Sequence, residues 1–108
     1  MAINLDLMIL KLLSDKDMYG YQLVTELKNV SDEFFSLKTG TVYPLLRTMV
    51  ADNLLESYEK EYSGKVRTHY RITLKGKQKL NSGIEYWIEY CNVVNRILEV
   101  KQNGGEII

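Results

Sequence analysis

Two side chains in this sequence have strong catalytic or metal-binding chemistry, His69 and Cys91, and each residue type occurs once in the 108 residues. They lie far apart in the chain and in different predicted elements, so no nucleophile with its base follows from their spacing. One histidine and one cysteine are too few for a zinc site of the usual kind, and no glycine-rich phosphate loop follows a strand. The sequence therefore predicts a protein that is not an enzyme and that holds no metal or cofactor.

Basic side chains could act differently, by neutralising phosphate. Fourteen Lys and Arg residues balance fourteen Asp and Glu residues, and a net charge of zero argues weakly against nucleic acid as a partner. The distribution reverses this impression, because residues 54–80 hold seven basic and three acidic residues whereas the flanking segments are both slightly acidic. Local charge decides polyanion binding more than total charge does. The central segment therefore predicts contact with DNA.

The composition is that of a folded globular domain. Hydrophobic residues make up 45% of the chain and charged residues 26%, and the length fits one domain. The single cysteine cannot form a disulfide within the chain. The apolar runs are short and broken by charge, and the N-terminus lacks the basic region and cleavage site of a signal peptide. We expect a cytoplasmic protein without a membrane span.

Three helices are predicted in the first half of the chain. The stretch 3–13 is almost wholly apolar, and residues 18–29 place their apolar side chains on one helical face. A third helix is predicted to open near residues 39–41 and to end near residues 52–53. Pro44 is expected in its first turn, where a missing N–H group is tolerated.

A hairpin and a long helix follow. Two strand-like runs, 55–61 and 66–73, flank a predicted hairpin tip at residues 63–65. Thr73 is expected to cap the last helix. Along that helix apolar residues recur at the spacing of a two-stranded coiled coil, at Leu80, Ile84, Trp87, Cys91, Val94 and Leu98.

This order of elements predicts an α+β, mainly helical fold. The arrangement is a winged helix-turn-helix, made of three helices and a two-stranded β-hairpin wing, with a long C-terminal dimerisation helix. In such folds the third helix enters a major groove and the wing lies along the DNA backbone. We assign residues 1–73 to the DNA-binding domain, residues 74–101 to the dimerisation helix and residues 102–108 to a frayed tail.

Three segments also carry a resemblance to a known family. They are YGY at residues 19–21, GTVYPLL at residues 40–46 and RTHYRIT at residues 67–73, the last followed by Lys75 and Gly76. Over residues 5–80 the chain resembles the PadR family of bacterial transcriptional regulators, in particular its short subgroup with a single C-terminal helix. It departs from that pattern where similar proteins have a second aromatic residue at the position of His69, and in a hairpin tip with less glycine and arginine.

The resemblance implies a homodimeric repressor whose first and last helices form the subunit interface. In multidrug-sensing regulators of this subgroup, a tryptophan on the last helix stacks on flat aromatic ligands at the dimer centre. Counted from the motif of Thr73 and Gly76, Trp87 falls on that position. Other relatives respond to phenolic acids, so the family does not fix the class of effector.

The DNA-binding candidates are the outward polar residues of the third helix and the cations near the wing: Lys38, Thr39, Thr41, Tyr43, Arg47, Lys60, Lys65 and Arg67. We expect Arg47 to reach a base edge or a phosphate and the hydroxyls to contact phosphates. For Thr39, helix capping and DNA contact stay equally open. At least one of Tyr19 and Tyr21 is expected in the core, with Gly20 allowing a close helix approach.

Two further sets of residues belong to the expected dimer. An effector pocket would be lined by Trp87, Ile3, Leu7, Met8, Ile84 and Ile88. The subunit interface would contain Ile9, Leu80, Trp87, Cys91, Val94 and Leu98. Whether Trp87 holds a ligand or only packs in the interface stays open, whereas Cys91 is expected to be a buried small hydrophobe.

The function predicted from these features is sequence-specific, DNA-binding transcriptional regulation. We expect a repressor that binds double-stranded DNA at an inverted-repeat operator and is released by a small effector, for which an aromatic molecule is one candidate. The alternative is a winged-helix dimer that binds protein without specific DNA binding, which the zero net charge favours. Salt dependence of DNA binding separates the two, because each neutralised phosphate releases counterions.

Overall fold

The computed structural model describes residues 4–101 and contains four helices and a three-stranded antiparallel sheet. In chain order the elements are α1 (Leu5–Asp15), β1 (Met18–Tyr19), α2 (Gly20–Val30), α3 (Thr39–Ala51), β2 (Leu55–Tyr62), β3 (Lys65–Ile72) and α4 (Leu74–Leu98). The predicted mainly helical winged helix with a long C-terminal helix is confirmed. Ile3 and the predicted tail at 102–108 lie outside the described residues.

Helix α1 forms the centre of the hydrophobic core. Leu5, Ile9, Leu10 and Leu13 are each no more than 2% exposed, because α2, α4 and the sheet all pack against this helix. Ile9 has an exposed fraction of 0%, so the prediction that it contacts a partner subunit is wrong. Leu80 is corrected for the same reason: at 6% exposure it belongs to the core of its own chain.

A third strand precedes α2, where the sequence predicted only helix. Met18 and Tyr19 pair with Tyr70 and His69 of β3, so α2 begins at Gly20 and not at residue 18. The backbone N–H of Tyr19 donates to the Gln22 side-chain oxygen at 2.9 Å, which satisfies one of the free donors at the start of the helix. The strand joins the beginning of α2 directly to the sheet, and the wing is therefore part of a three-stranded sheet.

Helix α3 begins at Thr39, where the sequence placed it. The N–H groups of Thr41 and Val42 both donate to the Lys38 carbonyl, and Pro44 falls in the second turn, not the first. The helix ends in a Schellman motif, in which the N–H of Leu54 donates to the Met49 carbonyl at 2.9 Å. Asn53 takes the left-handed position of that motif with a φ of 63°.

The wing is a two-residue hairpin. Ser63 and Gly64 both have positive φ angles, 54° and 81°, as a type I′ turn requires. The sequence predicted that Lys65 belongs to the hairpin tip. Lys65 instead pairs with Tyr62 and is the first residue of β3. The eight-residue strands place Lys60 directly opposite Arg67.

Helix α4 is capped by Thr73, whose hydroxyl oxygen accepts a hydrogen bond from the Gly76 N–H at 3.0 Å. It runs antiparallel to α1, because Gly76 lies against Leu10 and Gly83 lies against Leu7. Beyond Gly83 the helix leaves the body, and most of its apolar side chains are exposed. No helix within residues 4–101 is both long and apolar enough to cross a membrane.

Candidate nucleic-acid interface

Helix α3 separates its residues into a core face and an outward face. Val42, Leu46 and Met49 are buried, with exposed fractions of 0% to 2%. The four candidates on the helix, Thr39, Thr41, Tyr43 and Arg47, are all exposed, as is Lys38 just before it. Lys38 occupies the N-cap position and no side chain caps the helix there, so Thr39 is not the cap. The outward face therefore presents hydroxyl groups and a guanidinium to one side of the molecule.

Tyr43 is held in place by the start of α2. A Cβ atom on Gly20 would lie 2.6 Å from Cε1 of the Tyr43 ring, so only glycine leaves room for this packing. The structure thus contains a close approach at Gly20, as predicted, and the group that approaches Gly20 is the side chain of Tyr43 on α3. The contact fixes the direction of one exposed residue on the candidate DNA-reading face.

The wing residues Lys60 and Lys65 are exposed, whereas Arg67 is half-buried. The Arg67 guanidinium lies over the Tyr19 ring, 4.6 Å from its centroid, and its Nε is 3.5 Å from the Tyr62 carbonyl oxygen. Stacking on an aromatic ring holds a guanidinium in a defined orientation. Arg67 is therefore a positioned cation, whereas the two lysines are exposed charges on the surface.

His69 supports the wing from inside. It is 5% exposed, its ring stacks on Tyr58 with centroids 5.6 Å apart, and Tyr19 meets it edge-on at 5.5 Å. Its Nδ1 lies 3.0 Å from the Arg67 carbonyl oxygen. The histidine thus takes the place of an aromatic residue in a packed cluster, which accounts for its departure from the resembled pattern.

Asp17 ties the sheet to the loop before β1. The Tyr58 hydroxyl donates to its carboxylate at 2.6 Å, and Arg71 Nε donates to the same oxygen at 3.2 Å. The hydrogen bond to Asp17 raises the pKa of Tyr58, and burial adds to the effect. The Arg71 guanidinium also lies 4.8 Å from the centroid of the Tyr58 ring.

Several cations of the basic segment are therefore engaged within the chain. Besides Arg71, Lys75 donates to the Asp52 carbonyl at 3.0 Å, and Lys79 lies 3.9 Å from the Asp6 carboxylate. The charge excess of residues 54–80 thus overstates the number of cations that are available to contact a partner. The cations of the wing itself, Lys60, Lys65 and Arg67, remain on its surface.

The residues expected around an effector are only partly brought together. Leu7 packs on α4 at Gly83, whereas Met8 lines a groove between α1 and α2. On α4, Ile84, Trp87 and Ile88 are 37%, 41% and 57% exposed. The Trp87 ring stacks on that of Tyr90, with a centroid distance of 5.7 Å and an interplanar angle of 20°. Ile3 cannot be placed, because it lies outside the described residues.

The remaining interface candidates lie along the same helix. Leu98 is 64% exposed, and Cys91 and Val94 are half-buried in the single chain. Tyr86, Tyr90, Val93 and Ile97 are also exposed. A continuous apolar surface on a projecting helix is unusual for a molecule that remains alone in water.

Sequence reasoning missed three polar residues that line an open cleft beside the wing. Tyr21, which is 56% exposed, Thr68 and Tyr70 border it together with Tyr43 and Arg67. Tyr21 belongs to the motif at residues 19–21, but the motif does not predict that Tyr21 lies near Tyr43 and Arg67. The others escaped notice because the cleft is built from three separate segments, and no spacing in the sequence relates them.

These features define a winged-helix protein with an outward polar face on α3 and a cationic wing beside it. A family model described as the transcriptional regulator PadR-like family matches residues 9–82. The chain belongs to this family. Within residues 4–101 one long helix, α4, follows the wing, which fits the short subgroup. Membership confirms the prediction that the protein is a transcriptional regulator and not an enzyme.

Solved structures agree with this assignment. A transcriptional regulator from Clostridium thermocellum is 31% identical with a TM-score of 0.81, covering 86% of this chain and 91% of that one. A PadR family transcription regulator from Clostridium difficile is 33% identical with a TM-score of 0.79. The similarity covers 88% of this chain and 98% of the Clostridium difficile chain.

A further similar structure was determined with nucleic acid. Bacillus subtilis PadR in complex with operator DNA is 25% identical with a TM-score of 0.69. The similarity covers 78% of this chain and 47% of the Bacillus subtilis chain. This chain thus spans about half the length of that protein.

Proposed function

We propose that this regulator binds double-stranded DNA sequence-specifically, with α3 in the major groove and the wing on the backbone beside it. The observation that carries the proposal is the outward face of α3, where Thr41, Tyr43 and Arg47 are exposed next to the positioned guanidinium of Arg67. Arginine commonly reads guanine in the major groove, and hydroxyl groups commonly contact phosphates. The similarity to a PadR protein bound to its operator supports the same use of the fold.

The working form in this proposal is a homodimer joined through α4. The exposed apolar side chains on the projecting part of the helix, among them Ile84, Trp87 and Leu98, support it, since burying them against a second copy removes them from water. A two-fold dimer places two recognition helices about 34–36 Å apart, one turn of DNA. The operator is then an inverted repeat, and a dimer bound there acts as a repressor by blocking the promoter.

A flat aromatic effector is the proposed release signal. Trp87 and Tyr90 already form a stacked pair on the exposed face of α4, and a planar molecule stacks favourably on such rings. An effector releases DNA only if it binds better to a dimer geometry in which the recognition helices no longer fit the groove spacing.

The competing function is a winged-helix dimer that binds protein. It is favoured by the zero net charge and by the engagement of Arg71, Lys75 and Lys79 within the chain. In that case the α3 face would meet a polypeptide, and binding would depend little on phosphate.

A titration with labelled duplexes tests the proposal. Duplexes tiling the region upstream of the protein's own gene are compared with scrambled duplexes at several salt concentrations. The proposal predicts that one upstream duplex binds more tightly than its scrambled partner, with log affinity falling linearly against log salt concentration. Equal binding to upstream and scrambled duplexes, or binding that does not respond to salt, would contradict it and favour the protein-binding alternative.

A further inference from the structure

An open cleft of about 310 Å³ lies where the start of α2, the outward face of α3 and the base of the wing meet. Its polar and aromatic lining is formed by Tyr19, Tyr21, Tyr43, Arg67, Thr68 and Tyr70. None of these lining residues is acidic, and one of them is a cation with a fixed orientation. The cleft therefore has the chemistry of an anion site with hydrogen-bond donors.

We propose that this cleft binds one backbone phosphate of duplex DNA, with the Arg67 guanidinium as the cation and the hydroxyls of Tyr21 and Thr68 as donors. The inference rests on the proposed function and adds a specific site to it. It gives a role to two residues that belong neither to the recognition helix nor to the tip of the wing.

The position of the cleft is the first reason. In a winged-helix complex α3 lies in one groove and the wing lies beside the neighbouring groove. The ridge that separates two grooves of a duplex is a sugar-phosphate backbone. A cleft between α3 and the wing therefore faces that ridge, and phosphate is the only anionic group there.

The state of Arg67 is the second reason. One face of its guanidinium rests on the Tyr19 ring, and its only hydrogen bond among the described residues is a long one of 3.5 Å from Nε to the Tyr62 carbonyl. The planar group keeps further N–H donors for a ligand. Because its orientation is already fixed, little side-chain entropy is lost when a phosphate binds.

The neighbouring hydroxyls are the third reason. Gly20 fixes the Tyr43 ring at the edge of the cleft, and Tyr70 is half-buried behind it. Burial, with a further effect of Tyr43, raises the pKa of Tyr70 above its ordinary value of 10.0. Its hydroxyl is a donor at neutral pH, as it is in any tyrosine. Tyr21 and Thr68 add hydroxyls that rotate freely and can donate to phosphate oxygens.

The test uses duplexes in which single phosphates are replaced by uncharged methylphosphonates. Wild type and Arg67→Gln are titrated with each duplex, so that every phosphate is examined in a double-mutant cycle. We expect one position in each half-site at which methylphosphonate weakens wild type about tenfold but barely affects Arg67→Gln. The inference would be overturned if, at every position, the affinity losses from Arg67→Gln and from the methylphosphonate were simply additive, because no phosphate would then be coupled to Arg67.

Hydroxyl variants guard against a folding defect in Arg67→Gln. Tyr21→Phe and Thr68→Val keep the shape of the cleft, and Ser82→Ala removes an exposed hydroxyl on α4 as a control outside the cleft. The double variant Tyr21→Phe with Thr68→Val is expected to bind about tenfold more weakly with an unchanged salt slope, because the ion pair of Arg67 with the phosphate remains. The methylphosphonate effect at the same position should become smaller in this variant, because the hydroxyl hydrogen bonds to that phosphate are already absent. Affinity equal to that of Ser82→Ala would also overturn the inference.

The two proposals fail in different ways. If wild type binds no upstream duplex better than a scrambled one, the proposed function fails and the phosphate site fails with it. If wild type binds specifically and the phosphate scan shows no position coupled to Arg67, only the site is refuted.

Discussion

At the residue scale, the candidate nucleic-acid interface depends on contacts that the sequence alone does not predict. Gly20 belongs to a short motif that suggested close packing, and the structure shows that its partner is the ring of Tyr43. Sequence reasoning found Tyr43 and Arg47 because helical spacing separates outward from inward positions on α3. It could not find Thr68 and Tyr70 as cleft residues, since their neighbours come from distant segments.

Replacing Gly20 by alanine tests the link between packing and DNA binding. Alanine favours a helix over glycine by about 0.5–1 kcal/mol, and at Gly40 no atom would lie within 4 Å of the new Cβ. Thermal unfolding should therefore show Gly40→Ala gaining stability. The Gly20→Ala protein should not show this gain in thermal stability and should bind DNA more weakly, because the new Cβ atom forces the Tyr43 ring to move. Equal stabilisation at both positions would contradict the account.

The hydrogen bond from Tyr58 to Asp17 predicts a pH-dependent effect. Tyr58→Phe should cost about 1 kcal/mol at neutral pH. The pKa of Tyr58 is raised in the folded protein above its ordinary value of 10.0. Its contribution is therefore complete below pH 10 and is lost as the pH rises through the folded value. Urea unfolding of wild type and variant should show a difference that narrows above pH 10, and a constant difference would contradict the assignment.

At the scale of elements, periodicity predicted the helices well and the sheet less well. Helices α2, α3 and α4 have enough turns for a repeated apolar face, and the hairpin has alternating strands and a turn. Strand β1 has two residues, which is too short to show any period, and its pairing depends on β3 about fifty residues later. The interface candidates Ile9 and Leu80 were misplaced because an apolar pattern does not say whether its own chain or a partner covers it.

The turn of the wing gives a prediction for this scale. Gly64 has a φ of 81°, where an L-residue is strained although the space around it is open. Gly64→Ala should destabilise the protein by about 1–2 kcal/mol. Ser63→Asn should raise stability instead, because asparagine followed by glycine suits a type I′ turn. Chemical unfolding of both variants checks the pair, and a stable Gly64→Ala protein would refute this turn assignment.

At the scale of the whole molecule, the account requires two copies. Ile84 and Leu98 lie on the predicted coiled-coil seam and keep exposed fractions of 37% and 64% in the single chain. Changing both to lysine should yield a folded monomer with weak operator binding, because a single recognition helix contacts one half-site. Sedimentation velocity and circular dichroism measure the two properties.

A matched control lies on the other side of the same helix. Glu89→Lys changes charge away from the seam and should leave the dimer intact. A wild-type chain that sediments as a monomer at micromolar concentration would contradict the dimer, and so would a dimer that survives the lysine substitutions on the seam.

The most direct test of the central claim compares Arg47→Ala with Lys65→Ala on an operator duplex and a scrambled duplex. If α3 reads the operator, Arg47→Ala should lose about 1–3 kcal/mol of preference for the operator. Lys65→Ala should weaken binding to both duplexes alike and reduce the salt slope by about one. An Arg47→Ala protein that keeps the full preference of wild type for the operator would contradict recognition of DNA by α3.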